Sequence, residues 1–402
     1  MKVLHVIPSL DPADGGPSFA LPLMAQGLRR AGIEVDVATT ATRVEAAVLD
    51  GGHANPVTRD GVNYFYFRRQ TGFYKVSLPM SSWLDRNIQN YDLVHIHALF
   101  SYSSWTAANL AIKHRVPYVV RPLGVLNRWG MKNRRRLLKR ISFRLIESRI
   151  LKNAAAIHYT SSQERLEAEH AGVTTAAVII PLGIDASVFE KDATAARFYQ
   201  RFPAAERRDI VLFLSRIDKK KGLNILLKAF AEVQAAGPAS LLVVAGEGEA
   251  EFVGMMTMLA EELGIGEQVL WTGFLGGEEK ASAFRAASVF VLPSYSENFG
   301  LVVAEAMTFG LPCVVSDQVG VAPDVEEFQA GFVVPCEDAP LSVALQQLLS
   351  NAELRARFGE NAMRLARERF SIEAMSGSLV ELYSRIVDQH AVPSGALATE
   401  LR

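Results

Sequence analysis

Hydrophobic residues along this 402-residue chain fall into short, nearly uninterrupted runs that are separated by amphipathic segments. Six such runs, rich in β-branched residues, occupy 2–8, 35–39, 93–98, 118–122, 155–161 and 177–183. Runs of this length followed by segments with helical spacing are typical of β-strands alternating with α-helices. Because the runs are continuously apolar, they predict parallel strands covered by helices on both faces.

The same pattern begins again after a polar stretch at 186–208. Five further apolar runs lie at 209–215, 240–246, 268–273, 288–294 and 312–316. We therefore predict an α/β protein of two tandem Rossmann-like, doubly wound domains, at 1–190 and 207–370, whose sheets face each other across a cleft. Residues 371–390 have helical spacing and no strand after them, which predicts a C-terminal helix that packs back towards the N-terminal domain. We expect 391–402 to be frayed.

Composition and cysteine usage fit a globular protein of a reducing compartment. The chain is 49% hydrophobic, which is enough for two cores. Its two cysteines, Cys313 and Cys336, have apolar neighbours and form neither a disulfide framework nor a Cys/His metal pattern. The apolar start at 2–8 is too short for a signal peptide or a membrane span, and Pro8 interrupts it. We expect a cytoplasmic protein.

Charge is distributed unevenly along the chain. Residues 128–152 hold ten Lys/Arg and one Glu, a net +9, so the remainder of a chain with net charge −1 carries −10. One interpretation is a solvated helix face. The other is an amphipathic helix attracted to anionic lipid on the cytoplasmic face of the inner membrane, because apolar residues recur among the arginines at helical spacing. Those residues are Leu137, Leu138, Ile141, Leu145 and Ile146. The acidic remainder and the absence of interleaved aromatic residues argue against nucleic acid.

Unusual residues follow the predicted strands, where ligands bind in doubly wound sheets. They are Gly15 and Gly16 after the first run, His97 at the end of another, and then Arg216, Lys221, Gly246, Thr272, Phe274 and Glu297 in the second half. We interpret Lys219 and Lys220 as exposed charges. For the histidine near the sheet edge, His97 is favoured over His95 because it lies nearer the carboxyl end, and a buried core role stays open for both.

The chemistry of these residues suits a nucleotide sugar. Arg216 and Lys221 bring two cations to one loop, as expected for a diphosphate site. Glu297 and Glu305 can accept paired hydrogen bonds from vicinal hydroxyls, and the turn at 298–300 offers N–H groups to a sugar or phosphate. A diphosphate and two diols together describe a nucleotide sugar.

Five motifs, in this order and spacing, resemble the retaining glycosyltransferases of the GT-B fold that form family 4. They are GGP (15–17), HIH (95–97), SRIDKKKGLNILLKAF (215–230), TGFL (272–275) and SENFGLVVAEAMTFGLPCVVS (296–316). The resemblance covers almost the whole chain. It implies transfer of a hexose from a nucleotide sugar to a hydroxyl of a glycan or lipid-linked glycan, in bacterial surface polysaccharide or glycolipid synthesis. The segment VGVAPDV (319–325) departs from the Gly-Gly-x-Pro-Glu pattern that is more usual there.

The resemblance also implies roles for individual residues. Arg216 and Lys221 would neutralise the leaving diphosphate, Glu297 would bind the transferred sugar, and His97 would lie near that sugar, so these four form the predicted catalytic set. The predicted donor-binding set is Gly15, Gly16, Gly246, Thr272, Phe274, Leu275, Asn298, Phe299, Gly300, Leu301 and Glu305. Glu305 would bind the ribose, and Phe274 and Leu275 would flank the base. No Asp-x-Asp triplet occurs, so we expect no metal and no cofactor other than the donor substrate.

Two alternatives stay open beside the transferase. One is a nucleotide-sugar epimerase of the same fold, and the other is a non-catalytic nucleotide-sugar-binding protein. The intact set of Arg216, Lys221, Glu297 and Glu305 favours an enzyme over the second. We expect the acceptor site to be built by 100–105 and 121–129.

Overall fold

The structure is a computed structural model that describes residues 1–11, 15–41, 56–72, 74–126, 142–186, 194–237 and 240–391. The chain divides into two compact units. Residues 1–183 and 372–402 make the first, and residues 184–371 make the second. The second unit thus starts at Ile184, earlier than the predicted domain at 207.

The first unit contains eight strands. In chain order they are β1 (Lys2–Ile7), β2 (Glu34–Thr40), β3 (Val57–Arg59), β4 (Val62–Phe67), β5 (Leu93–His97), β6 (Tyr118–Arg121), β7 (Ala156–Tyr159) and β8 (Ala177–Ile179). The helices between them are α1 (Gly16–Arg30), α2 (Leu78–Asn87), α3 (Tyr102–His114), a π-helix (Phe143–Glu147), α4 (Ser148–Lys152) and α5 (Ser162–His170), with a 3₁₀ turn at Ile88–Asn90.

These strands form one sheet in the order β3-β4-β2-β1-β5-β6-β7-β8. Every pairing is parallel except that of β3 with β4. The six apolar runs of the first half all became strands, which confirms the parallel sheet. β3 and β4 were missed, because VTR and VNYFYF mix polar and aromatic residues and lack the uninterrupted apolar pattern.

The second unit contains a six-stranded parallel sheet. Its strands are β9 (Asp209–Leu214), β10 (Ser240–Ala245), β11 (Val269–Gly273), β12 (Val289–Leu292), β13 (Cys313–Ser316) and β14 (Gly331–Val334), in the sheet order β11-β10-β9-β12-β13-β14. Its helices are α6 (Ala195–Arg201), α7 (Leu223–Ala235), α8 (Ala250–Glu262), α9 (Gly277–Ala286), α10 (Leu301–Thr308), α11 (Ala322–Phe328), α12 (Asp338–Ser350) and α13 (Ala352–Arg369). Short 3₁₀ turns lie at Pro203–Ala205, Lys219–Lys221 and Gly266–Gln268.

Both sheets are buried on their two faces, as the continuous apolar runs require. Every residue of β10, β12 and β13 is buried. The five apolar runs predicted in the second half are confirmed as strands, while the four-residue β14 was not predicted. Two tandem doubly wound sheets are therefore the fold of this chain.

The last helix, α14 (Ile372–Ala391), belongs to the first unit although it follows the second in the chain. It packs against α1, where a Cβ on Gly27 would lie 2.8 Å from the Ile372 side chain. Tyr383 of α14 is fully buried and reaches His95 on the sheet. The region 392–402, predicted to be frayed, lies outside the described residues.

The two faces of the first sheet differ in chemistry. Leu4, Val6, Val94 and Ile96 pack into an apolar core with α2 and α3. Strand alternation directs their neighbours to the opposite face, and those neighbours include His5 and His95, which are register partners. His97 and Arg121 are a second register pair on that polar face.

Candidate active site

The predicted residues of the second unit follow four neighbouring parallel strands. Arg216 comes two residues after β9, Gly246 directly after β10, and Glu297 on the loop that follows β12. Since the carboxyl ends of parallel strands lie at one edge of a sheet, these loops meet at the same edge. The structure places the second-unit site residues there.

Two glycines let the loops at this edge touch. Gly222 has φ +69°, and a Cβ there would lie 2.0 Å from the carbonyl oxygen of Pro293. At Gly246, with φ +147°, a Cβ would lie 1.8 Å from the carbonyl oxygen of Ser215. Any side chain would collide with backbone at either position. The loop after β9 is thus pressed against the loops after β10 and β12.

The close approach at Gly222 brings Lys221 to Glu297. The Lys221 ammonium and the Glu297 carboxylate form an ion pair whose side chains are 15% and 23% exposed. Glu297 is held by its backbone: its N–H donates to the Gln318 carbonyl at 3.0 Å, and its carbonyl accepts from the Gly320 N–H at 2.9 Å. A cation assigned to phosphate and a carboxylate assigned to sugar therefore lie in contact.

Further cations surround this ion pair. Lys220 is half-buried, and burial is the main cause that lowers its pKa below the usual value. Asp218 and Glu297 oppose that shift, whereas the charges of Lys221 and Arg216 add to it. Our interpretation of Lys220 as an exposed charge was wrong, because it is partly enclosed and lies within electrostatic reach of Arg216 and Lys221. Arg216 and Lys219 are exposed.

Glu305 is the fifth residue of α10 and is 9% exposed. Its Oε2 lies 2.6 Å from Nζ of Lys280, which α9 supplies. Sequence reasoning missed Lys280, since EEKAS reads as an ordinary polar helix start and carries no signal for this pairing. The two predicted diol-binding carboxylates thus each contact a lysine from a neighbouring loop or helix.

The segment at 298–301 leads into α10. Gly300 precedes its first residue, Leu301. Phe299 is only 4% exposed, and its ring packs edge-on against Phe370 at 5.5 Å between centroids. Its carbonyl also accepts from the Val321 N–H at 3.0 Å. Phe299 therefore anchors the turn by its side chain and can offer a ligand its backbone alone, while Asn298 is half-buried.

The residues after β11 separate into two kinds. Phe274 is 66% exposed and is free to contact a ligand with its ring, whereas Leu275 is 3% exposed. Leu275 lines a cavity of about 320 Å³ whose other walls come from α6, Phe202 and α9. The Thr272 hydroxyl donates to the Gly273 carbonyl at 3.0 Å. Leu275 thus supports the loop from within, and its predicted place beside a base stays a prediction.

In the first unit, Gly15 and Gly16 begin α1. Gly15 has φ +86° and precedes the helix, and Gly16 is its first residue. Apart from the chain neighbours, no heavy atom of the described residues lies within 4 Å of a Cβ built on either glycine. The start of α1 therefore presents bare backbone, which is what the close approach of a phosphate requires.

His97 and His95 differ in their hydrogen bonds although both are fully buried. Nε2 of His158 must donate to the Ile180 carbonyl at 2.8 Å, which leaves its Nδ1 to accept from His95 Nε2 at 3.4 Å. His95 Nδ1 then accepts from the Tyr383 hydroxyl at 2.6 Å. Both nitrogens of His95 are thus committed to the protein.

His97 has one nitrogen to spare. Its Nε2 lies 2.9 Å from Nδ1 of His5, whereas its Nδ1 is buried and has no hydrogen-bond partner in the described chain. Burial is the main cause that lowers the pKa of His97 well below its usual value, so the ring is neutral near pH 7. Among the described residues, His97 thus keeps one nitrogen for a ligand and His95 keeps none, while the choice of His97 as the site residue stays a prediction.

The described part of the basic segment covers 142–152. Leu145, in the π-helix, is 73% exposed, whereas Ile150 and Leu151 of α4 are buried. The remaining predicted helix, with Leu137, Leu138 and Ile141, lies outside the described residues. Within the described ranges, the structure contains no helix that is long and apolar enough to cross a membrane.

Two family models match the chain in tandem. The model for Glycosyl transferase 4-like domain matches residues 15–183, and that for Glycosyl transferases group 1 matches 196–365. D-inositol 3-phosphate glycosyltransferase of Corynebacterium jeikeium is 29% identical and covers 96% of each chain. Alpha-D-kanosaminyltransferase of Streptomyces kanamyceticus is 31% identical over 60% of this chain and 63% of its own.

Solved structures share the two-domain fold. Sucrose-phosphate synthase from Thermosynechococcus elongatus matches with a TM-score of 0.75 at 24% identity, covering 96% of this chain and 99% of its own. Anabaena HepE in complex with UDP and glucose matches with a TM-score of 0.76 at 20% identity, covering 96% and 100%.

Proposed function

We propose, from the premise that this chain belongs to the family 4 glycosyltransferases of the GT-B fold, that it transfers a sugar from a nucleotide-diphosphate sugar to an acceptor hydroxyl with retention of the anomeric configuration. Its relatives are named glycosyltransferases, and the chain is accordingly a transferase. The donor class, the stereochemistry and the acceptor are our proposal.

The cation cluster beside Glu297 carries this proposal. Lys221 contacts Glu297, and Lys220 lies within electrostatic reach of both Lys221 and Arg216. Breaking a bond between a sugar and a diphosphate places negative charge on the leaving oxygen, and fixed cations at that point lower the barrier. One donor of this kind typically contributes about 3–4 kcal/mol to the transition state.

The pairing of the two carboxylates supports a front-face route for the proposed retention. A double displacement needs a carboxylate free to attack the anomeric carbon, but Glu297 is paired with Lys221 and Glu305 with Lys280. We therefore propose that the acceptor hydroxyl attacks from the side on which the diphosphate leaves. The bond to the diphosphate breaks first and leaves an oxocarbenium-like sugar. The acceptor hydroxyl then attacks this sugar, and the departing phosphate takes the acceptor proton.

Most of the proposed donor contacts come from the second unit. Glu305 would accept hydrogen bonds from the nucleotide ribose, and its contact with Lys280 would keep that carboxylate oriented. Glu297 would bind hydroxyls of the transferred sugar, with the exposed Phe274 beside the base. In the first unit, the bare backbone at Gly15 and Gly16 suits contact with a phosphate. The structural neighbour with UDP and glucose supports a nucleoside diphosphate sugar as donor.

A donor panel tests the function. The purified protein is incubated with each of several nucleotide sugars, and binding is followed by thermal shift, since a ligand at 100-fold its Kd adds roughly 2.7 kcal/mol of stability. The expected result is one preferred donor that yields a glycoside and a nucleoside diphosphate only when an acceptor is added. Conversion of the nucleotide sugar to its epimer without an acceptor would instead identify an epimerase, and binding without turnover would identify a non-catalytic protein.

We further propose a role in bacterial surface polysaccharide or glycolipid synthesis, with residues 128–152 holding the protein on the cytoplasmic face of the inner membrane. The +9 charge of this segment supports attraction to anionic lipid at about 1 kcal/mol per basic residue near the surface. Leu145, exposed within the same segment, would add apolar contact. A membrane surface would deliver a lipid-linked acceptor.

Sedimentation with liposomes checks the membrane role. The wild type is expected to pellet with vesicles that contain anionic lipid and to be released by salt, because surface charges are screened within about 10 Å at 0.1 M. Neutralising Arg134, Arg135, Arg136, Lys139 and Arg140 should abolish pelleting. Neutralising Arg357, Arg364 and Arg367, which are exposed on α13, should not. If the wild type stays in the supernatant at low salt, the segment is only a solvated surface.

A further inference from the structure

Arg121 is a buried cation, and two of its guanidinium nitrogens have no hydrogen-bond partner among the described residues. It is the last residue of β6 and is 2% exposed. Its Nε and Nη1 are buried and make no hydrogen bond, and the guanidinium forms no ion pair within the described chain. Burial is the main cause that lowers its pKa to about 10, so the group stays charged near pH 7. A charged group in this state is rare in native proteins and calls for an explanation.

The carboxylate with the largest effect on the pKa of Arg121, that of Glu164, already accepts hydrogen bonds from other groups. Glu164 opposes the lowering of the Arg121 pKa. Its Oε1, however, accepts from the Gly124 N–H at 2.6 Å, and its Oε2 accepts from the N–H and hydroxyl of Thr160 at 2.8 and 2.9 Å. Glu164 therefore fixes the turn after β6 and the start of α5, and it leaves the guanidinium unpaired.

Unpartnered nitrogens are concentrated around Arg121. His97 is its register partner on β5, and its Nδ1 is unpartnered. His5 contacts His97, and its Nε2 is unpartnered as well. Four buried nitrogens on these three residues thus lack partners. Since the neutral His5–His97 pair shares one hydrogen bond, one of its two outer nitrogens must carry a hydrogen and can donate.

A metal ion does not suit this cluster. The imidazoles of His5, His95 and His97 come close enough to share an ion, with ligand atoms within 4.8 Å of one another. The charge of Arg121 nevertheless helps to lower the pKa of each ring, which shows that the guanidinium acts on all three. A second buried cation would be repelled by it, and a negative group would be attracted.

We propose that Arg121, His97 and His5 bind an oxyanion, a carboxylate or a phosphate monoester, carried by one of the two sugar substrates. The guanidinium would donate from Nε and Nη1, and the histidine pair would add one further donor. The position of this cluster supports a substrate as its ligand. His97 and Arg121 are the last residues of their strands, at the sheet edge where ligands bind in such folds. Assigning the anion to a substrate rests on the proposed transferase function, whereas the anion site itself does not.

Arg121, His97 and His5 are buried, so we propose that the turns after β5 and β6 move to admit the anion. These turns hold non-glycine residues in the left-handed region, with φ +79° at Ala98, +55° at Phe100 and +63° at Leu123. Such conformations are costly and cluster at sites that change on binding. Opening would relieve part of that strain.

Replacing Arg121 separates a binding role from a structural one. In the ligand-free protein, we expect Arg121→Met to leave the melting temperature unchanged or to raise it by about 2–4 °C, because it removes an uncompensated buried charge. The matched control is Arg86→Met on the exposed surface of α2. A fall of more than about 4 °C in Arg121→Met alone would show that the guanidinium supports the fold, and would overturn the proposal.

Ligand binding is measured with inorganic phosphate and with D-glucuronate, and D-glucose serves as the neutral control. Phosphate also suits the cations of the second unit, so the measurement is made in an Arg216→Met background. At about tenfold Kd, an Arg121-dependent rise of about 2–4 °C is expected with one of the two anions. A rise with phosphate would identify a phosphate ester as the ligand. A rise with glucuronate but not with glucose would identify a sugar carboxylate.

The absence of an Arg121-dependent shift with both anions would refute the site. Neither probe requires turnover, so the outcome is independent of the transferase test. A protein that binds the anion but transfers no sugar would refute the proposed function and leave the site standing. A protein that transfers sugar but shows no Arg121-dependent shift with either anion would refute the site and leave the proposed function standing.

Discussion

Replacing Lys221 with alanine is expected to lower kcat by about 100-fold or more, because it removes a fixed cation from the leaving diphosphate. Arg216→Ala is expected to lower kcat by more than tenfold for the same reason. Arg216 is exposed, so its replacement leaves the fold unchanged. Steady-state kinetics with the preferred donor measures both. Lys219→Ala, an exposed lysine of the same turn, is the control and should alter kcat less than twofold.

The ion pair with Glu297 makes the Lys221 variant more informative. Lys221→Ala leaves the Glu297 carboxylate unpaired beside the incoming phosphate, so part of the loss comes from repulsion. The double variant Lys221→Ala with Glu297→Gln should therefore lose less activity than the product of the two single losses. Near-normal kcat for Lys221→Ala in a folded protein would contradict the assigned role.

The strands were predictable where burial dictates the sequence. A strand with helices on both faces is apolar at most positions, as in SLLVVA of β10. β4 escaped prediction because its burial alternates, with Asn63 and Phe65 half-buried and Tyr64 and Tyr66 buried. Asn63 also donates to Asp36 on β2 at 2.9 Å. A strand that uses polar contacts of this kind lacks the pattern that identified the others.

The positions of the predicted strand ends were enough to select candidate site residues. They could not show which side chains contact one another. Lys280 and Glu305 form an ion pair although they lie on different helices, α9 and α10, and neither segment signals the other. Tyr383 and His95 are 288 residues apart and come together only because α14 returns to the first unit. The unpartnered nitrogens of Arg121 are likewise not indicated by any local pattern in the sequence.

Phe274 and Leu275 were both predicted to flank the base, but the structure exposes the first and buries the second. Phe274 and Leu275 are equally apolar and stand together in TGFL. The exposed ring of Phe274 faces away from the core, while Leu275 fills space against α6. The helix α6 itself lies within 186–208, which we interpreted as a boundary. It is joined to α9 by ion pairs of Arg197 with Glu278 and Arg201 with Glu279.

Glu305→Ala is expected to weaken binding of the preferred nucleoside diphosphate by about 10- to 150-fold, since hydrogen bonds to a charged group are worth about 1.5–3 kcal/mol. Glu297→Ala should change the Kd of the same diphosphate less than threefold and should raise the KM for the nucleotide sugar. Isothermal titration calorimetry with the free diphosphate separates the two roles. Equal losses of affinity in both variants would contradict the division between ribose and sugar.

Removing Glu305 also leaves Lys280 without its partner, and a released cation could itself attract the diphosphate. A ligand without the ribose hydroxyls isolates the intended contact. The 2′,3′-dideoxy form of the diphosphate should bind wild type about as weakly as the intact ligand binds Glu305→Ala. Against Glu305→Ala, the two ligands should bind alike, because the hydroxyls then have nothing to donate to. If deleting the hydroxyls weakens binding to the variant as much as to wild type, Glu305 does not hold the ribose.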